Sequence, residues 1–181
     1  MATLSNVSLL ARLALMNDQR LIVEPLGAGA VQPASIDVRL GELLFGWQGQ
    51  QRVDLIRDQG ACWQPLSLVD GAWLLEPGRL YLATTLEHIV VPNDLVGYVH
   101  GRSTLARAGV VPHQQAGLLD PGYSGRPTME ITVLMPTVLR PRCPIGQLTF
   151  EELTCAADPP YRGRYQHDLG PVPALPFGGR R

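Results

Sequence analysis

The sequence contains no lysine, and all fifteen of its Lys/Arg positions are arginine. Charged residues make up only 17% of the 181 positions, and the formal net charge is −1. This charge balance gives no indication of general, non-specific electrostatic binding to nucleic acid. Apolar residues make up 45% of the sequence, which argues against disorder through the middle of the chain. An arginine offers a planar fork of donors that suits phosphate or carboxylate, so each one is a candidate anion ligand as well as a surface charge.

Cysteine is also scarce, and no C-x-x-C pair occurs among the three that are present, Cys62, Cys143 and Cys155. An odd, scattered set indicates neither a disulfide framework nor a zinc knuckle, and it fits a reducing cytoplasm. The four histidines show no i, i+4 pairing and no H-x-E motif with a downstream P-C-x-x-C: His88, His100, His113 and His167. The signature of zinc-dependent nucleotide deaminases is therefore absent.

No apolar run is long enough to span a bilayer. The segment "VSLLARLALM" at residues 7–16 lacks a basic start and a small-residue cleavage site, so it is not an export signal. Its apolar spacing predicts a short amphipathic helix. We expect a cytoplasmic protein with no nucleic-acid or membrane partner.

Glycine and proline recur about every ten residues after this helix, with short alternating runs between them. This pattern predicts one mainly β domain, a barrel or sandwich with small helical pieces. Three runs alternate clearly: "ASIDVRL", "TMEITVL" and "QLTFEEL". In the second run, period two puts Glu130 in the middle of a strand on its polar face, where it is either a functional carboxylate or a solvated side chain.

The stretch "HGRSTLARAG" predicts a short helix from Ser103, with the serine as N-cap. Ser103 and Arg107 would then share one face, and free N–H groups beside Arg102 would attract an anion. The stretch is therefore either a pocket that binds phosphate or orients water, or a capped surface turn with solvated arginines.

A tight turn is predicted at "LLDPGYSG", with Asp120 at a strand end and Tyr123 beside glycines. The carboxylate could accept a sugar hydroxyl while the ring packs on the sugar, or Asp120 could cap its own turn. His113 is interpreted as a packed, hydrogen-bonded histidine rather than a catalyst. The three tryptophans are expected in the core and at subunit contacts: Trp47, Trp63 and Trp73.

From Pro159 onward the chain is rich in proline, glycine and arginine and has no sustained period. Such a segment is either disordered or folds down over something. Both alternatives stay open at this point, and the resemblance described next implies a barrel domain with its N-terminal helix at 1–158 and a flexible segment at 159–181 that closes over an active site.

Taken in order, four motifs resemble the dCTP deaminase branch of the dUTPase-like superfamily: "VQPASIDVRLG", "GRSTLARAG", "AGLLDPGYSGRPTMEI" and "IGQLTFEEL". The resemblance runs from about Val31 to Leu153. It implies a distorted β-barrel or jelly roll (β-clip) with short helices, assembled as a homotrimer with three sites between subunits. It also implies zinc-independent hydrolysis of dCTP to dUTP and ammonia, with Mg²⁺ bound through the triphosphate rather than by the protein.

The resemblance also assigns roles to single residues. Glu130 matches the catalytic glutamate, which takes a proton from water and passes protons to the base and the leaving amine. Ser103 and the Ala116 carbonyl match groups that hold this water, and Arg107 matches an arginine near the same centre. Ten residues are implied in substrate binding: Arg102, Ser103, Thr104, Ala116, Asp120, Tyr123, Tyr161, Arg164, Tyr165 and Gln166.

The sequence departs from that pattern at Arg164, where relatives often have lysine, at Asp168, where a base-reading glutamine is common, and at Arg142, which replaces a glycine. The pair Ala116–Gly117 leans toward a bifunctional enzyme that gives dUMP and diphosphate. A pure dUTPase is disfavoured because that branch lacks the glutamate, and a non-catalytic nucleotide-binding trimer would be expected to have lost one of the catalytic residues. Feedback inhibition by dTTP, through the loop at 113–117, is a further implication.

Overall fold

The computed structural model describes residues 2–49, 52–57 and 60–177. Strands account for 38% of the chain and helices for 10%. The helical elements are α1 (Asn6–Ala14), α2 (Ser103–Arg107) and a 3₁₀ turn (Gly60–Cys62). The strands are β1 (Ile22–Glu24), β2 (Val31–Gln32), β3 (Ser35–Trp47), β4 (Trp63–Pro65), β5 (Trp73–Leu75), β6 (Tyr81–Thr85), β7 (His88–Val90), β8 (Leu95–His100), β9 (Val110–Val111), β10 (Leu118–Leu119), β11 (Ser124–Gly125), β12 (Thr128–Val133), β13 (Thr137–Leu139) and β14 (Pro144–Glu152).

The main sheet follows the order β10-β8-β14-β3-β6-β12-β9, with β2 and β4 added along β3. The described residues also form two small sheets, β1-β7-β11 and β13-β5. Pairing in the main sheet is antiparallel, and the sheet curls into a half-barrel. The mainly β prediction is confirmed.

Strand β3 joins the two halves of this sheet, because its first part pairs with β14 and its later part with β6. The pairing register with β6 shifts between Leu40 and Leu44, as it does at a β-bulge or a similar irregularity. At Gly41 a Cβ atom would lie 2.9 Å from the Thr84 hydroxyl and 3.0 Å from its carbonyl oxygen. Only glycine permits this close approach of β3 to β6.

The predicted alternation appears in the burial of the strands. In β12 the residues Met129, Ile131 and Val133 are buried and their neighbours are half-exposed. In β3, the alternation of "ASIDVRL" puts Ser35 on the polar face, but Ser35 is only 8% exposed. Its hydroxyl lies 3.5 Å from Oε1 of Gln147 in the adjoining strand β14, so the neighbouring polar side chain covers it.

Helix α1 packs on the barrel through Leu9, which is fully buried. Arg12 fixes the helix further through ion pairs to Asp94 (2.7 Å) and Glu152 (3.3 Å). The helix predicted from the apolar spacing at 7–16 is thus present, one residue earlier at its start. Among the described residues, no helix combines the length and apolar character needed to cross a bilayer.

A buried ion pair holds β3 to the turn before β7. The Glu87 carboxylate is 1% exposed and accepts hydrogen bonds from the Arg39 backbone N–H (2.9 Å) and Nε (2.7 Å). Arg39 also donates to the Pro25 carbonyl at 2.8 Å. A buried carboxylate is costly unless it is paired in this way.

The tryptophans occupy two environments. Trp73 is 2% exposed in the core, as expected. Trp47 and Trp63 are half-buried and pack edge to face, with ring centroids 5.5 Å apart at 73°.

Candidate active site

A cavity of about 350 Å³ lies between β12, the turn after β10 and the C-terminal segment. This volume falls within the range of sites that hold a small molecule. Most of its walls are apolar or aromatic, with a few polar groups among them: Trp63, Leu80, Leu82, Ala116, Leu118, Leu119, Asp120, Tyr123, Arg126, Pro127, Thr128, Glu130, Tyr161, Tyr165, Asp168, Val172 and Ala174.

Strand β12 presents Glu130 to this cavity. Because side chains alternate along a strand, Thr128 and Glu130 project opposite to the core residues Met129 and Ile131. The Glu130 side chain is 29% exposed, so it is neither locked in the core nor free in bulk solvent. The Thr128 hydroxyl accepts a hydrogen bond from the Val172 N–H at 3.1 Å, which brings the C-terminal segment alongside.

The turn after β10 places Asp120 and Tyr123 on an adjacent wall. The Tyr123 N–H donates to the Asp120 carbonyl at 3.0 Å, and Gly122 has φ of +86°, which completes a tight turn with Pro121. Burial, followed by the nearby charges, raises the pKa of Tyr123 above its usual value of 10, so the ring stays a neutral phenol. The buried ring of Tyr123 can pack on one side of a sugar, while the half-buried Asp120 carboxylate accepts a hydrogen bond from a hydroxyl of that sugar.

His113 lies directly against Glu130. Its Nδ1 atom is 2.7 Å from Oε2 of the carboxylate, and the imidazole side chain is only 8% exposed. Burial opposes protonation of the ring, yet Glu130 and the Ala116 carbonyl outweigh it and raise the pKa of His113 above 6.5. The ring therefore interacts with two of the three groups that the resemblance assigned to the attacking water, Glu130 and the Ala116 carbonyl.

Gly117 makes room for this imidazole. A Cβ atom there would lie 2.8 Å from the Val99 carbonyl oxygen and 3.2 Å from the His113 ring. His113 was expected to be a packed histidine, and its burial agrees with this, but its contact with Glu130 was not predicted. The only signal available was its position three residues before Ala116.

Residues 159–177 lie against the barrel. The amide of Gln166 accepts from the Ser124 N–H at 3.0 Å and donates to the Gly122 carbonyl at 2.8 Å. The Asp168 carbonyl accepts the Arg126 N–H at 2.7 Å, and the His167 N–H donates to Ser124 at 2.7 Å. This segment was expected to be either disordered or folded down over another part of the protein, and residues 159–177 are folded against the barrel. Residues 178–181 lie outside the described residues.

Two predicted ligands in this segment point their polar groups at the protein. Gln166 holds the barrel backbone, and Arg164 donates to the Pro176 carbonyl at 2.5 Å and to the Leu175 carbonyl at 3.5 Å. Tyr161 and Tyr165 instead line the cavity. The Tyr161 ring is 6.2 Å from the Tyr123 ring, tilted by 49°.

A second pocket, also of about 350 Å³, is polar. It contains Arg102, whose Nη1 lies 3.0 Å from Oδ2 of Asp37. The other residues around it are Gln32, Pro33, Ser35, Ser103, Thr104 and Gln147. Hydroxyls and a guanidinium in this arrangement suit a phosphate chain.

Helix α2 borders that pocket and begins at Ser103, as expected. The capping prediction was wrong: the N-cap position belongs to Arg102, and no side chain caps the helix. Because Ser103 already has helical geometry, its hydroxyl is not used to satisfy the first turn and stays exposed.

The predicted site residues therefore fall into separate groups on one chain. The cavity gathers Glu130 with the Ala116, Asp120, Tyr123, Tyr161 and Tyr165 positions, whereas Arg102, Ser103 and Thr104 line the polar pocket. Arg107 is exposed at the end of α2 and lines neither.

Within the described part of the chain, no three His, Cys, Asp or Glu side chains are grouped so that they could hold a metal ion. The polar lining residues that were not predicted as ligands include Arg126, Thr128 and Asp168 in the cavity, and Gln32, Ser35, Asp37 and Gln147 in the polar pocket.

Comparison with known proteins gives a consistent picture. The family model described as dCTP deaminase-like matches residues 7–153. A relative named "dCTP deaminase, dUMP-forming" from Halobacterium salinarum is 42% identical, covering 98% of this chain and 96% of the relative. A relative named "dCTP deaminase" from Haloarcula marismortui is 39% identical with the same coverage. A dUMP-forming enzyme from Mycobacterium avium is 38% identical over 87% of this chain and 88% of the relative.

The fold also matches a solved structure. The 2'-deoxycytidine 5'-triphosphate deaminase from Agrobacterium tumefaciens superposes with a TM-score of 0.63 at 23% identity. The match covers 82% of this chain and 46% of the other, so the present chain spans about half its length.

Proposed function

Because this chain belongs to the dCTP deaminase-like family, we propose that it is an enzyme that hydrolyses the 4-amino group of dCTP and releases ammonia. The observation that carries the proposal is the Glu130 carboxylate, half-buried on the polar face of β12, in one cavity with Asp120 and Tyr123. The deoxyribose would lie between the Asp120 carboxylate and the Tyr123 ring. This places the cytosine toward Glu130.

Glu130 performs the proton transfers. Its carboxylate accepts a proton from water, the resulting hydroxide bonds to C4 of cytosine, and the ring C–N π bond opens toward N3. The carboxylic acid returns this proton to N3. Glu130 then takes the proton of the new C4 hydroxyl and passes it to the amine, which leaves as ammonia as the C4 carbonyl forms. A positioned carboxylate of this kind contributes about 10² to 10⁴ in rate.

The remaining groups position these partners. His113 must leave the carboxylate before a water molecule can meet Oε2, and the Ala116 carbonyl then becomes available to the same water. Five residues of the C-terminal segment line the cavity: Tyr161, Tyr165, Asp168, Val172 and Ala174. Closure of this segment over the bound cytosine would exclude bulk water from the reaction.

The triphosphate belongs in the polar pocket, with Arg102, Ser103 and Thr104 as its ligands. Mg²⁺ would enter on the triphosphate, where it offsets phosphate charge, and Asp37 is the carboxylate among the pocket residues that could accept hydrogen bonds from its bound water. The donor set of the pocket fits phosphate oxygens rather than a bare ion.

A homotrimer with shared sites explains why one chain divides the predicted residues between two pockets. Glu130 from one subunit would meet Ser103 and Arg107 from a neighbour. Mixing Glu130→Gln chains with Ser103→Ala chains tests this, because subunit exchange would restore sites that carry both native residues. Light scattering should give a trimer, and activity that stays at the level of the separate variants in a mixed trimer would contradict the shared site.

The second candidate activity is removal of diphosphate in the same site, giving dUMP. The relatives named dUMP-forming and the pair Ala116–Gly117 favour it. Incubation with dCTP and Mg²⁺, following ammonia and diphosphate separately, decides the matter. Ammonia with diphosphate means dUMP, ammonia alone means dUTP, and diphosphate released only from dUTP would refute deamination.

Feedback by dTTP is a further part of the proposal. The loop at 113–117 carries the imidazole that contacts Glu130, so a ligand that favours this loop conformation would keep the carboxylate engaged. Inhibition should then weaken in a His113→Asn variant. Unchanged inhibition would show that dTTP acts elsewhere or only by competition.

A further inference from the structure

The side chain of Arg126 is not accounted for by the fold. It extends the alternation of β12, so that Arg126, Thr128 and Glu130 follow one another on the cavity side while Pro127 and Met129 are buried. Its backbone N–H is used, because it donates to the Asp168 carbonyl at 2.7 Å. Its guanidinium, however, has no hydrogen bond or ion pair to any described residue.

The Nε atom of Arg126 is buried, and no acceptor among the described residues reaches it. A buried donor without a partner is uncommon because it forfeits its hydrogen bond to water. The positive charge of Arg126 acts on its neighbour His88: the pKa of His88 is lowered first by the burial of its own ring and then by repulsion from Arg126. An acceptor supplied by a ligand would satisfy the guanidinium.

Arg126 is also the basic residue among the described lining residues of the cavity, where the acidic ones are Asp120, Glu130 and Asp168. The phosphates have their own polar pocket around Arg102. The part of a nucleotide that enters this cavity is therefore the sugar and the base, and the acceptor that a base offers is a ring carbonyl or ring nitrogen.

The spacing along the strand fits a pyrimidine. Arg126 and Glu130 are four residues apart, which is about 13 Å of extended backbone. An arginine side chain, a pyrimidine ring and a glutamate side chain can fill this span between them. With C4 held at Glu130, the 2-carbonyl of cytosine lies on the far side of N3, toward Arg126. An ionised Asp168 carboxylate is an acceptor only and cannot donate to that oxygen.

We propose that Arg126 reads the base, by donating a hydrogen bond from its guanidinium to the 2-carbonyl oxygen of the cytosine ring. This inference rests on the proposed function. It makes Arg126 a specificity-determining residue that anchors one edge of the ring while Glu130 acts on the other.

The test compares dCTP with 2-thio-dCTP, in which sulfur, a weak acceptor, replaces that oxygen. Binding is measured by calorimetry in a Glu130→Gln background, so that neither nucleotide is consumed. The 2-thio analogue should bind about tenfold more weakly than dCTP, as expected for loss of a hydrogen bond to a charged group. Adding Arg126→Met should weaken dCTP about tenfold and remove the difference between the two nucleotides.

The matched control is Arg140→Met, an exposed arginine outside both pockets, which should preserve the difference. If Arg126→Met folds poorly, Arg126→Lys, which keeps the charge and one donor group, replaces it. The comparison of dCTP with 2-thio-dCTP can also be made with the native Arg126. If Arg126→Met lowers the affinity for both nucleotides equally, Arg126 only supports the cavity wall, and the proposal is overturned. Equal affinity for dCTP and 2-thio-dCTP when Arg126 is present would overturn it as well. Failure of the unaltered enzyme to release ammonia from dCTP would instead refute the proposed function.

Discussion

The Nδ1 atom of His113 and the Oε2 atom of Glu130 are 2.7 Å apart, so an imidazole occupies one oxygen of the carboxylate that is proposed to act on water. Protonated imidazole is the form that this carboxylate stabilises, and the pKa of His113 is raised above 6.5 in spite of burial. The pair is thus fully formed below pH 6.5 and is lost as the pH rises through the raised pKa. In the proposed mechanism, turnover requires the pair to separate.

We therefore predict that kcat/KM for dCTP rises with pH through a pKa above 6.5. In His113→Asn this limb should flatten, since asparagine does not titrate. The measurement is a pH profile of ammonia release from pH 5.5 to pH 9. His100→Asn is the control, because His100 is exposed and contacts Thr149 instead. If kcat/KM of His113→Asn still rises with pH through the same pKa, the titrating group is not His113.

Replacing Glu130 by glutamine should abolish ammonia release while nucleotide binding persists. The amide keeps the size of the side chain but cannot take a proton from water, so kcat should fall by about 10² to 10⁴. Single-turnover ammonia release and calorimetric affinity for dCTP check the two halves of this expectation. Glu76→Gln, a change at an exposed glutamate outside both pockets, should leave both unchanged. Retained turnover in Glu130→Gln would eliminate the proton-transfer role.

Gln166→Ala should release the C-terminal segment from the barrel. The change removes the two hydrogen bonds to Ser124 and Gly122, each worth about 0.5 to 1.5 kcal/mol. Trypsin should then cleave faster after Arg162 and Arg164, and the KM for dCTP should rise about 3- to 10-fold. Gln19→Ala, at an exposed position on the opposite end of the sequence, is the control. Unaltered cleavage would mean that other contacts hold the segment.

Removing Arg39 should destabilise the barrel without touching the cavity. In Arg39→Met the buried Glu87 carboxylate keeps only the backbone donor, and the expected loss is about 3 kcal/mol in the free energy of unfolding, because Arg39 is 32% exposed and solvent partly compensates. Denaturant unfolding at a fixed protein concentration measures the loss. Arg57→Met, which breaks a largely exposed pair with Asp54, should change it by less than about 0.5 kcal/mol. Comparable losses for the two variants would show that burial of Glu87 carries no special cost.

The sequence predicts most of the architecture because its signals are local. Period-two burial places Glu130 on the polar face of β12, and the Asp-Pro-Gly turn before Tyr123 forms as its residues dictate. The N-cap of α2 was misassigned because serine is favoured at both the cap and the first helical position, and a one-residue choice depends on the preceding chain direction.

The contacts that were missed are long-range. His113 meets Glu130 only because the loop after β9 returns beside β12, and no local propensity encodes that approach. Arg126 was passed over for a similar reason: its sequence neighbours indicate a strand entrance, whereas its lack of a described partner appears only when the C-terminal segment is in place.

The bare α-carbon at Gly117 has a consequence beyond packing. Any larger residue there would collide with the Val99 carbonyl or the imidazole, so the resting conformation seen for this loop is open only to sequences with glycine at that site. The residue next to Ala116 would thereby decide whether the imidazole can contact Glu130 in the way seen here. With a bulkier side chain at this site, the loop would have to follow another path.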